Sequence, residues 1–515
     1  MSVMEIDGRN RRIAKNTLIL YIRMIFLMLV NIYTSRVVLA ALGVEDYGIY
    51  NVVGGVVSMF TILSGSMSSA ISRFITFELG RESSLRRLKD VFGTSVTVQI
   101  AIGLIILLIG ECVGPWFINE KMNIAPDRLN SANWVFQLSL LAFIVNLLSI
   151  PYNATIIAYE KMSAFAYISI LEALLKLGIA FLIISTPFDS LIYYSVLTCV
   201  VAVLVRVAYS VYCRMHFDEV RFRLSFDKGL FREMFAFAGW NFIGNGVYMM
   251  NTQGINVLSN IFFGVTVNAA RGVVAQVESA ITQFVNNFTT AINPQITKSY
   301  AAGDRSYMFA LVCKGARYSY LMMLLFSVTV ILESDTILEI WLKNVPEHAS
   351  IFLKLATVCS LITVLSNTIV TAMFATGDIK KYQIIVGTVG LAVFPSCWLL
   401  FKLGCSPAIA YVVYGAVYAV LLFVRLYLMR SMIGMPVGLY VRDVLLRIIP
   451  ITIFSFMIPY VLVIFMEPSL LRLLLTLISS IIVECVAVWF IGLDKDEKIF
   501  VRNKSITIIN KFKCR

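Results

Sequence analysis

The chain has 515 residues, of which 59% are hydrophobic and only 14% are charged. Soluble globular proteins carry nearer one-quarter charged residues, so this composition excludes an ordinary water-soluble protein. The net charge of +13 is high enough for a nucleic-acid-binding protein. However, the basic residues fall between apolar runs, as loop charges of membrane proteins do. We therefore expect an integral membrane protein that binds no nucleic acid.

Fourteen apolar stretches follow along the chain, each long enough to cross the roughly 30 Å hydrocarbon core of a bilayer. They predict an all-α membrane fold of about fourteen transmembrane helices. The predicted spans are 16–42, 48–72, 90–112, 133–157, 164–185, 190–213, 234–262, 266–293, 309–332, 350–376, 382–401, 406–429, 444–466 and 469–492.

The distribution of lysine and arginine predicts the orientation of these spans. If the N-terminus is cytoplasmic, predicted cytoplasmic segments hold about five times as many basic residues as the opposite side. We therefore expect both termini in the cytoplasm. The basic residues before span 1 resemble the start of a signal peptide, but the run 16–42 is too long and contains Arg23 and Arg36, so we expect an uncleaved span.

A weak internal repeat relates the two halves of the chain. Gly43-Val44 recurs as Gly264-Val265, and Ile75-Thr76 recurs as Ile296-Thr297, both at an offset of 221 residues. Six spans separate the copies, so both start on the same side of the membrane, which predicts parallel repeats. The expected organisation is an N-lobe (1–213), a basic cytoplasmic linker (214–233), a C-lobe (234–430), two appended spans (431–493) and a basic cytoplasmic tail (494–515).

Polar side chains form stripes on the spans that lead each repeat, when the residues are projected at 100° each. Such stripes either line a water-filled cavity or hold neighbouring helices together through hydrogen bonds. The many amides of spans 7 and 8 favour the cavity, whereas the glycines and serines of span 2 suit either reading. The candidate cavity asparagines are Asn51, Asn241, Asn245, Asn256 and Asn286.

Charged residues within the spans are further candidates, because a charge in hydrocarbon costs about 3 kcal/mol or more and usually marks a pathway or a pair. Arg271 and Glu278 lie seven residues apart on one face of span 8. Arg271 is a candidate for substrate binding and Glu278 for coupling to protons or sodium ions. The alternative is a salt bridge between them that braces the bundle. Arg23 has no acidic residue in its own span, and an anionic substrate would pair with it.

Four more basic residues form a secondary cationic group. Lys176 follows Glu172 in the i,i+4 order that favours a structural ion pair. Arg36, Arg73 and Arg206 lie near span ends, where long side chains reach towards the interface. Glu484 is isolated in span 14 and receives no predicted role.

The sequence lacks the motifs of several enzyme classes. It has no phosphate-binding loop of the GxxxxGK[ST] type, which argues against ATP hydrolysis, and no GxSxG or HExxH motif. The nine cysteines form no CxxC pair, and the two histidines have no suitable partner nearby. We expect no catalytic activity, metal or cofactor, apart from a coupling proton or sodium ion.

Four segments carry a resemblance to a known family. They are LGVEDYGIY (42–50), AYEKM (158–162), NPQI (293–296) and ATGD (375–378). With these segments the whole chain resembles the Wzx-type polysaccharide flippases of the MOP exporter superfamily, whose relatives include MATE drug exporters and MurJ-type lipid II flippases.

The resemblance implies two six-helix lobes around a V-shaped cavity lined by spans 1, 2, 7 and 8, with two extra C-terminal helices as in MurJ-like proteins. It implies alternating access and a cargo of undecaprenyl-pyrophosphate-linked oligosaccharide for O-antigen, lipopolysaccharide, capsule or exopolysaccharide assembly. Membrane lipids and polysaccharide polymerase machinery are the implied partners. By position, Arg23 and Arg271 match the cavity arginines that attract pyrophosphate or acidic sugars in such proteins.

Two other functions remain open from the sequence. A MATE-like ion-coupled exporter of small cations would need a cavity dominated by acids, whereas this chain has at least as many arginines there. A membrane polysaccharide polymerase or ligase would use a large periplasmic loop, and the predicted loops are short.

Overall fold

The computed structural model describes residues 3–58, 60–120, 124–184, 186–220, 227–342, 345–494, 497–499 and 502. Within the helices, the side chains of some N-terminal residues, including that of Asn51, lie outside the described part. The described residues form helices and connecting turns without a strand.

The first half of the chain forms seven helices that match the first six predicted spans. They are α1 (Val3–Ser58), α2 (Thr61–Gly80), α3 (Leu85–Glu120), α4 (Leu129–Leu147), α5 (Ile150–Ala158), α6 (Met162–Ile184) and α7 (Ser190–His216).

The second half continues with thirteen helices, interrupted by π-helical turns at Met250–Gly254, Val441–Leu445 and Val488–Gly492. They are α8 (Lys228–Met249), α9 (Ile255–Phe263), α10 (Val265–Ala301), α11 (Arg305–Leu332), α12 (Ser334–Trp341), α13 (Ala349–Val364), α14 (Asn367–Ala375), α15 (Lys380–Leu391), α16 (Val393–Lys402), α17 (Ile409–Ile433), α18 (Val437–Tyr440), α19 (Leu446–Phe465) and α20 (Leu470–Ala487).

Eleven helical segments of the described chain are long and apolar enough to cross a membrane. The all-helical, multi-pass membrane fold expected from the sequence is therefore confirmed. Predicted spans 2, 7 and 8 are also helical but fall outside these eleven. They are the spans with the most pronounced polar stripes, so the count of fourteen remains a prediction.

Two glycines mark the same point in the two copies of the repeat. Gly43 bends α1 with φ 77° and ψ 170°, and Gly264 separates α9 from α10 with φ 80° and ψ −171°. Residues with a Cβ rarely adopt a positive φ of this size, so glycine is favoured at both positions. The equivalent pairs Val53 and Val274, and Ile75 and Ile296, are buried in each copy. The shared backbone conformation supports the repeat read from the sequence.

The helices extend beyond the predicted spans on the side predicted to be cytoplasmic. α7 continues to His216, and α8 begins at Lys228, so both ends of the predicted linker 214–233 are helical. Apolar runs report the membrane-embedded part of a helix, whereas the backbone hydrogen bonds continue for as long as the sequence favours them. Residues 221–226 and 503–515 lie outside the described part of the chain.

The chain divides into two compact units. The first comprises 1–246, 290–308 and 374–383. Its core includes aromatic rings in edge-to-face contact, with the centroids of Phe74 and Phe237 6.4 Å apart and those of Phe237 and Phe374 5.5 Å apart. These contacts bring together helices α2, α8 and α14, which are far apart in sequence.

The second unit comprises 247–289, 309–373 and 384–515. Its core is mainly aliphatic, and Leu324, Val328, Phe352 and Ile451 are completely or almost completely buried. It contains the two C-terminal helices α19 and α20, which pack against each other. Both the cavity described below and the polar face of α20 lie within this unit.

Candidate functional site

A large cavity lies within the second unit. Its volume is about 720 Å³, and its walls come from α8 and the π-helical turn after it and from α9, α10, α11, α13, α14 and α17. Among the residues predicted from the sequence, Arg271, Glu278, Asn256 and Asn286 all line it. The structure therefore brings four of the predicted residues together in one space.

Arg271 lies on α10 and is held by two neighbours. Its Nε donates a hydrogen bond to Oδ1 of Asn256 at 2.7 Å. Its guanidinium carbon lies 5.0 Å from the centroid of the Tyr411 ring. The bond to Asn256 uses Nε alone, so the two terminal nitrogens keep the fork geometry that binds carboxylate or phosphate oxygens.

Glu278 follows Arg271 by two turns of α10 and points into the same cavity. Its Oε1 accepts a hydrogen bond from Oγ of Ser360 at 2.5 Å. The ion pairs of the described residues do not include one between Glu278 and Arg271. Ser360, rather than an arginine, is the direct partner of this carboxyl group.

Tyrosines of α17 form an aromatic wall of the cavity. Tyr411, Tyr414 and Tyr418 all line it, and the rings of Tyr414 and Tyr418 are stacked with centroids 4.1 Å apart. Tyr248 contributes a further ring from α8. Aromatic faces beside amides and a guanidinium form an amphipathic surface, apolar on the ring faces and polar at the hydroxyls.

The π-helical turn Met250–Gly254 interrupts the regular rotation per residue on which the predicted polar stripe of span 7 depends. The projection assumed 100° per residue throughout, but a π turn inserts extra backbone and rotates everything after it. Asn251, which was outside the stripe, is buried and donates to the carbonyl of Gly390 at 2.9 Å. Asn256, after the turn, faces the cavity.

The other predicted asparagines lie elsewhere. Asn241 is buried in the first unit. Asn245 donates from Nδ2 to Oγ of Ser66 at 3.0 Å, also in the first unit. This bond between α8 and α2 is the interhelical hydrogen bonding that the sequence left open as an alternative. The side chain of Asn51 lies outside the described residues.

Arg23 lies on α1 in the first unit. Its guanidinium carbon is 4.3 Å from the centroid of the Phe165 ring. Its Nε has no hydrogen-bond partner among the described residues. The aromatic ring stabilises the guanidinium charge from one side.

The secondary basic residues have distinct surroundings. Arg73 donates from Nη2 to the carbonyl of Ala375 at 3.1 Å. Lys176 pairs with Glu172, with Nζ 2.6 Å from Oε1, as predicted. Arg206 stacks 3.9 Å above the ring of Tyr152, and Arg36 is exposed.

A second polar cluster, here called the Glu160 cluster, lies in the first unit and consists of Arg12, Asn16, Glu160, Gln295 and Lys298. The carboxyl group of Glu160 accepts from Gln295 Nε2 at 2.7 Å and from Lys298 Nζ at 2.6 Å. Its backbone carbonyl accepts from Asn16 Nδ2 at 3.2 Å. Arg12 Nη1 lies 3.9 Å from Glu160 Oε2. The cluster joins α1, α10 and the turn between α5 and α6.

The Glu160 cluster unites segments that carried the family resemblance. Glu160 belongs to 158–162 and Gln295 to 293–296, and Arg73 contacts Ala375 at the start of 375–378. The sequence identifies these segments by their resemblance to the family but does not predict that they contact each other. Their shared location at predicted cytoplasmic helix ends was the available indication.

The cavity also contains residues that the sequence reasoning missed. Ser360 and Asn367, on α13 and α14, line it opposite α10. The tyrosines of α17 occur at positions 411, 414 and 418, a spacing that places them on one helix face. The predicted polar stripes lie on the spans that lead each repeat, and span 12 is not one of these spans.

Comparisons with known proteins agree with this architecture. A family model described as polysaccharide biosynthesis protein matches residues 11–300. No curated protein sequence matches the chain significantly.

Three solved structures of similar fold are distant in sequence. A MATE protein in the bent conformation superposes with a TM-score of 0.72 at 12% identity, covering 84% of this chain and 97% of that chain. A MOP superfamily transporter from Pyrococcus furiosus, described by the reverse polarity of its binding pocket, has a TM-score of 0.70 at 11% identity and covers 83% and 96%. An outward-facing multidrug resistance MATE family transporter has a TM-score of 0.68 at 12% identity and covers 80% and 94%.

The family match spans more than half of the chain, and the fold match spans nearly the whole of the solved structures. Both agree with the resemblance that the sequence motifs suggested. The chain is a multi-pass membrane protein that belongs to the polysaccharide biosynthesis protein family and has the fold of the MATE and MOP superfamily transporters.

Proposed function

We propose that the protein is a flippase that moves undecaprenyl-pyrophosphate-linked oligosaccharides from the cytoplasmic to the periplasmic leaflet of a bacterial inner membrane. Its N- and C-termini are cytoplasmic, as the distribution of basic residues predicts. The observation that carries the proposal is the cavity of the second unit, where Arg271 stands beside amides and stacked tyrosines.

The chemistry of the cavity suits the polar half of such a substrate. A pyrophosphate needs a cation with several directed donors, which Arg271 supplies. Sugar hydroxyls need amides such as Asn256 and Asn286, and the apolar faces of sugar rings pack on aromatic rings. The polyprenyl tail stays in lipid, so the protein handles only the part of the cargo that lipid excludes.

The charges that line the cavity favour an anionic substrate over a cationic drug. The cavity is lined by two arginines, Arg271 and Arg425, and one acidic residue, Glu278. Positive charge repels a cation and attracts an anion, so the lining favours the pyrophosphate cargo over a MATE-like cationic one. Glu278 is the proposed coupling group, and Glu278→Gln is expected to abolish dependence of transport on a proton or sodium gradient.

The Glu160 cluster has a role in the proposed alternating access. Its bonds fix the predicted cytoplasmic ends of α1, α6 and α10 together. For a substrate to enter from the cytoplasm, some of these ends must separate. We therefore place the cluster among the contacts that break when the protein opens to the cytoplasm, and Arg23, above it on α1, among the cationic residues that the substrate then meets.

The experiment combines gene deletion with complementation. Deletion should leave lipid-linked repeat units on the cytoplasmic face and remove surface polysaccharide. Arg271→Ala and Arg23→Ala, expressed at the wild-type level, should fail to restore it. Arg430→Ala, which removes an exposed arginine at the end of α17, should restore it fully. Normal surface polysaccharide after deletion would overturn the function, and full complementation by both cavity variants would overturn the site.

A further inference from the structure

The last membrane helix, α20, has its polar residues on its buried face. Arg472, Thr476, Ser480 and Glu484 are spaced four residues apart and are all buried. The large apolar residues of α20, including Leu471, Leu474, Ile478 and Ile482, are exposed. A helix of this kind presents apolar residues to lipid and its polar stripe to its neighbours.

Three of the four polar residues have partners inside the bundle. Arg472 Nε lies 2.8 Å from Glu333 Oε1, and Thr476 donates to the same oxygen at 3.2 Å. The hydroxyls of Ser480 and Thr329 lie 3.1 Å apart. These contacts account for the polar residues at positions 472, 476 and 480 of the stripe.

Glu484 differs from the other three. It is 3% exposed, and its Oε2 has no hydrogen-bond partner among the described residues. No ion pair of the described residues involves it. An unpaired carboxylate in such a place costs several kcal/mol, so interhelical packing gives no account of its presence. A carboxyl group here is stable as the neutral acid and becomes charged only if a proton leaves.

Hydroxyl groups lie on α11 and α19, two helices that contact α20. On α11, Tyr320 is a titratable group within electrostatic range of Glu484. The hydroxyl of Tyr320 lies 3.0 Å from that of Thr452 on α19. On α19, Ser455 is also buried with its hydroxyl unpartnered among the described residues. These hydroxyls donate and accept, as a proton relay requires.

The polar stripe of α20 runs from Glu484 back to Arg472 and Glu333. Its positions follow at a rise of about 6 Å each, a distance short enough for one bridging water. Beyond the inner end of α20, Glu497 and Asp494 form ion pairs with Arg317, whose Nη2 lies 2.9 Å from Glu497 Oε2. Carboxyl groups therefore lie at Glu333, beside the first turn of α20, and at Asp494 and Glu497, beyond its last turn.

We propose that Glu484 is a proton-binding site, distinct from the substrate cavity, that takes up and releases a proton as the protein changes conformation. The step forms and breaks the O–H bond of one carboxyl group, with the proton passing to neighbouring hydroxyls or water. A sodium ion is a poorer occupant because it would need several oxygen ligands, and the described residues contain no cluster of three or more acidic, histidine or cysteine side chains. The coupling role rests on the transport function proposed above, whereas the protonation itself does not.

Infrared difference spectroscopy of the purified full-length chain tests the protonation. At neutral pH the spectrum should contain a protonated-carboxyl band that Glu484→Gln removes. Glu172→Gln is the matched control, since Glu172 is ion-paired with Lys176 and should contribute no such band. A spectrum in which Glu484→Gln removes no protonated-carboxyl band would overturn the proposal.

Transport by proteoliposomes tests the coupling. With wild-type protein, an imposed pH gradient should change the rate at which a lipid-linked oligosaccharide is flipped and should drive proton movement reported by a dye in the lumen. Glu484→Gln should lose both responses and keep gradient-independent flipping. Unchanged responses in Glu484→Gln would overturn the proposal. If wild-type protein flips no lipid-linked sugar, the proposed function fails, while the infrared result and the dye response still decide the role of Glu484.

Discussion

Lys298 Nζ lies 2.6 Å from Glu160 Oε1, and the side chain of Glu160 is only 1% exposed. The pair connects the end of α10 to the turn before α6, 138 residues earlier. A second pair, Lys176 and Glu172, has the same 2.6 Å separation, but its side chains are 46% and 38% exposed. It joins two turns of one helix, whereas Glu160 is buried and also accepts a hydrogen bond from Gln295.

Glu160→Gln is expected to lower the free energy of unfolding by about 2–4 kcal/mol, because it leaves the Lys298 ammonium beside a neutral amide in a buried cluster. Glu172→Gln should cost less, because Glu172 pairs with Lys176 on its own helix and such i,i+4 pairs contribute about 0.5 kcal/mol. The measurement is denaturation in detergent, with a double-mutant cycle through Lys298→Met to isolate the pair. Equal costs for the two substitutions would show that burial does not set the strength of the Glu160 pair.

Asn256→Leu is expected to weaken transport about tenfold while leaving the fold intact. The substitution removes the acceptor of Arg271 Nε, so the guanidinium is no longer held in one orientation, and one lost bond of this kind is worth about 1.5 kcal/mol. Thr252→Val is the matched control, since Thr252 also lines the cavity but its hydroxyl, among the described residues, bonds the carbonyls of Tyr248 and Met249 and not Arg271. Flipping rates in proteoliposomes provide the comparison, and equal rates in both variants would remove Asn256 from the site.

Arg472→Leu is expected to destabilise the protein by about 3–5 kcal/mol, because it leaves Glu333 buried without its cation. Glu333 is 0% exposed in its side chain, and Arg472 Nη2 also donates to its Oε2 at 2.8 Å. The double variant Arg472→Leu/Glu333→Leu should cost less than Arg472→Leu alone. Thermal unfolding of the three proteins tests this, and additive losses would mean that the two residues act independently.

Acid should weaken the ion pairs beyond α20. Burial alone would raise the pKa of Glu497, but the N–H of Asp494 and the charges of Arg317 and Lys314 together hold that pKa below its ordinary value. A carboxyl group with a depressed folded-state pKa contributes stability at neutral pH and loses it as the pH falls through that pKa. The gap in stability between wild type and Glu497→Gln, about 1–2 kcal/mol at pH 7, should close below about pH 4. A gap independent of pH would contradict this account.

The sequence predicted the helices more completely than the site. Long apolar runs determine which segments enter the membrane, and every predicted span lies on helix. The repeat was also readable, since Gly43 and Gly264 share a backbone conformation that side-chain-bearing residues avoid. These properties are local, or depend on spacing along the chain, and are therefore visible without a structure.

The hydrogen-bond partners of the polar groups could not be predicted from the sequence in the same way. Ser360 meets Glu278 across 82 residues, and Gln295 meets Glu160 across 135. Neither contact follows from periodicity on one helix. The π-helical turn Met250–Gly254 adds a further obstacle, since it rotates Asn256 relative to the residues before it. Polar stripes indicate candidate helices for the site, whereas the packing of the helices determines which residues contact each other.

The buried polar face of α20 has a consequence for biogenesis. On its own in lipid, this helix would expose Arg472 and Glu484 to hydrocarbon at considerable cost. The partners that satisfy its stripe, Glu333 and Thr329, precede it in the chain and are synthesised first. The C-terminal hairpin can therefore settle only against helices that are already in place. Replacement of Glu333 and Thr329 by apolar residues would leave the polar stripe of α20 without these partners, so insertion of this helix depends on helices made before it.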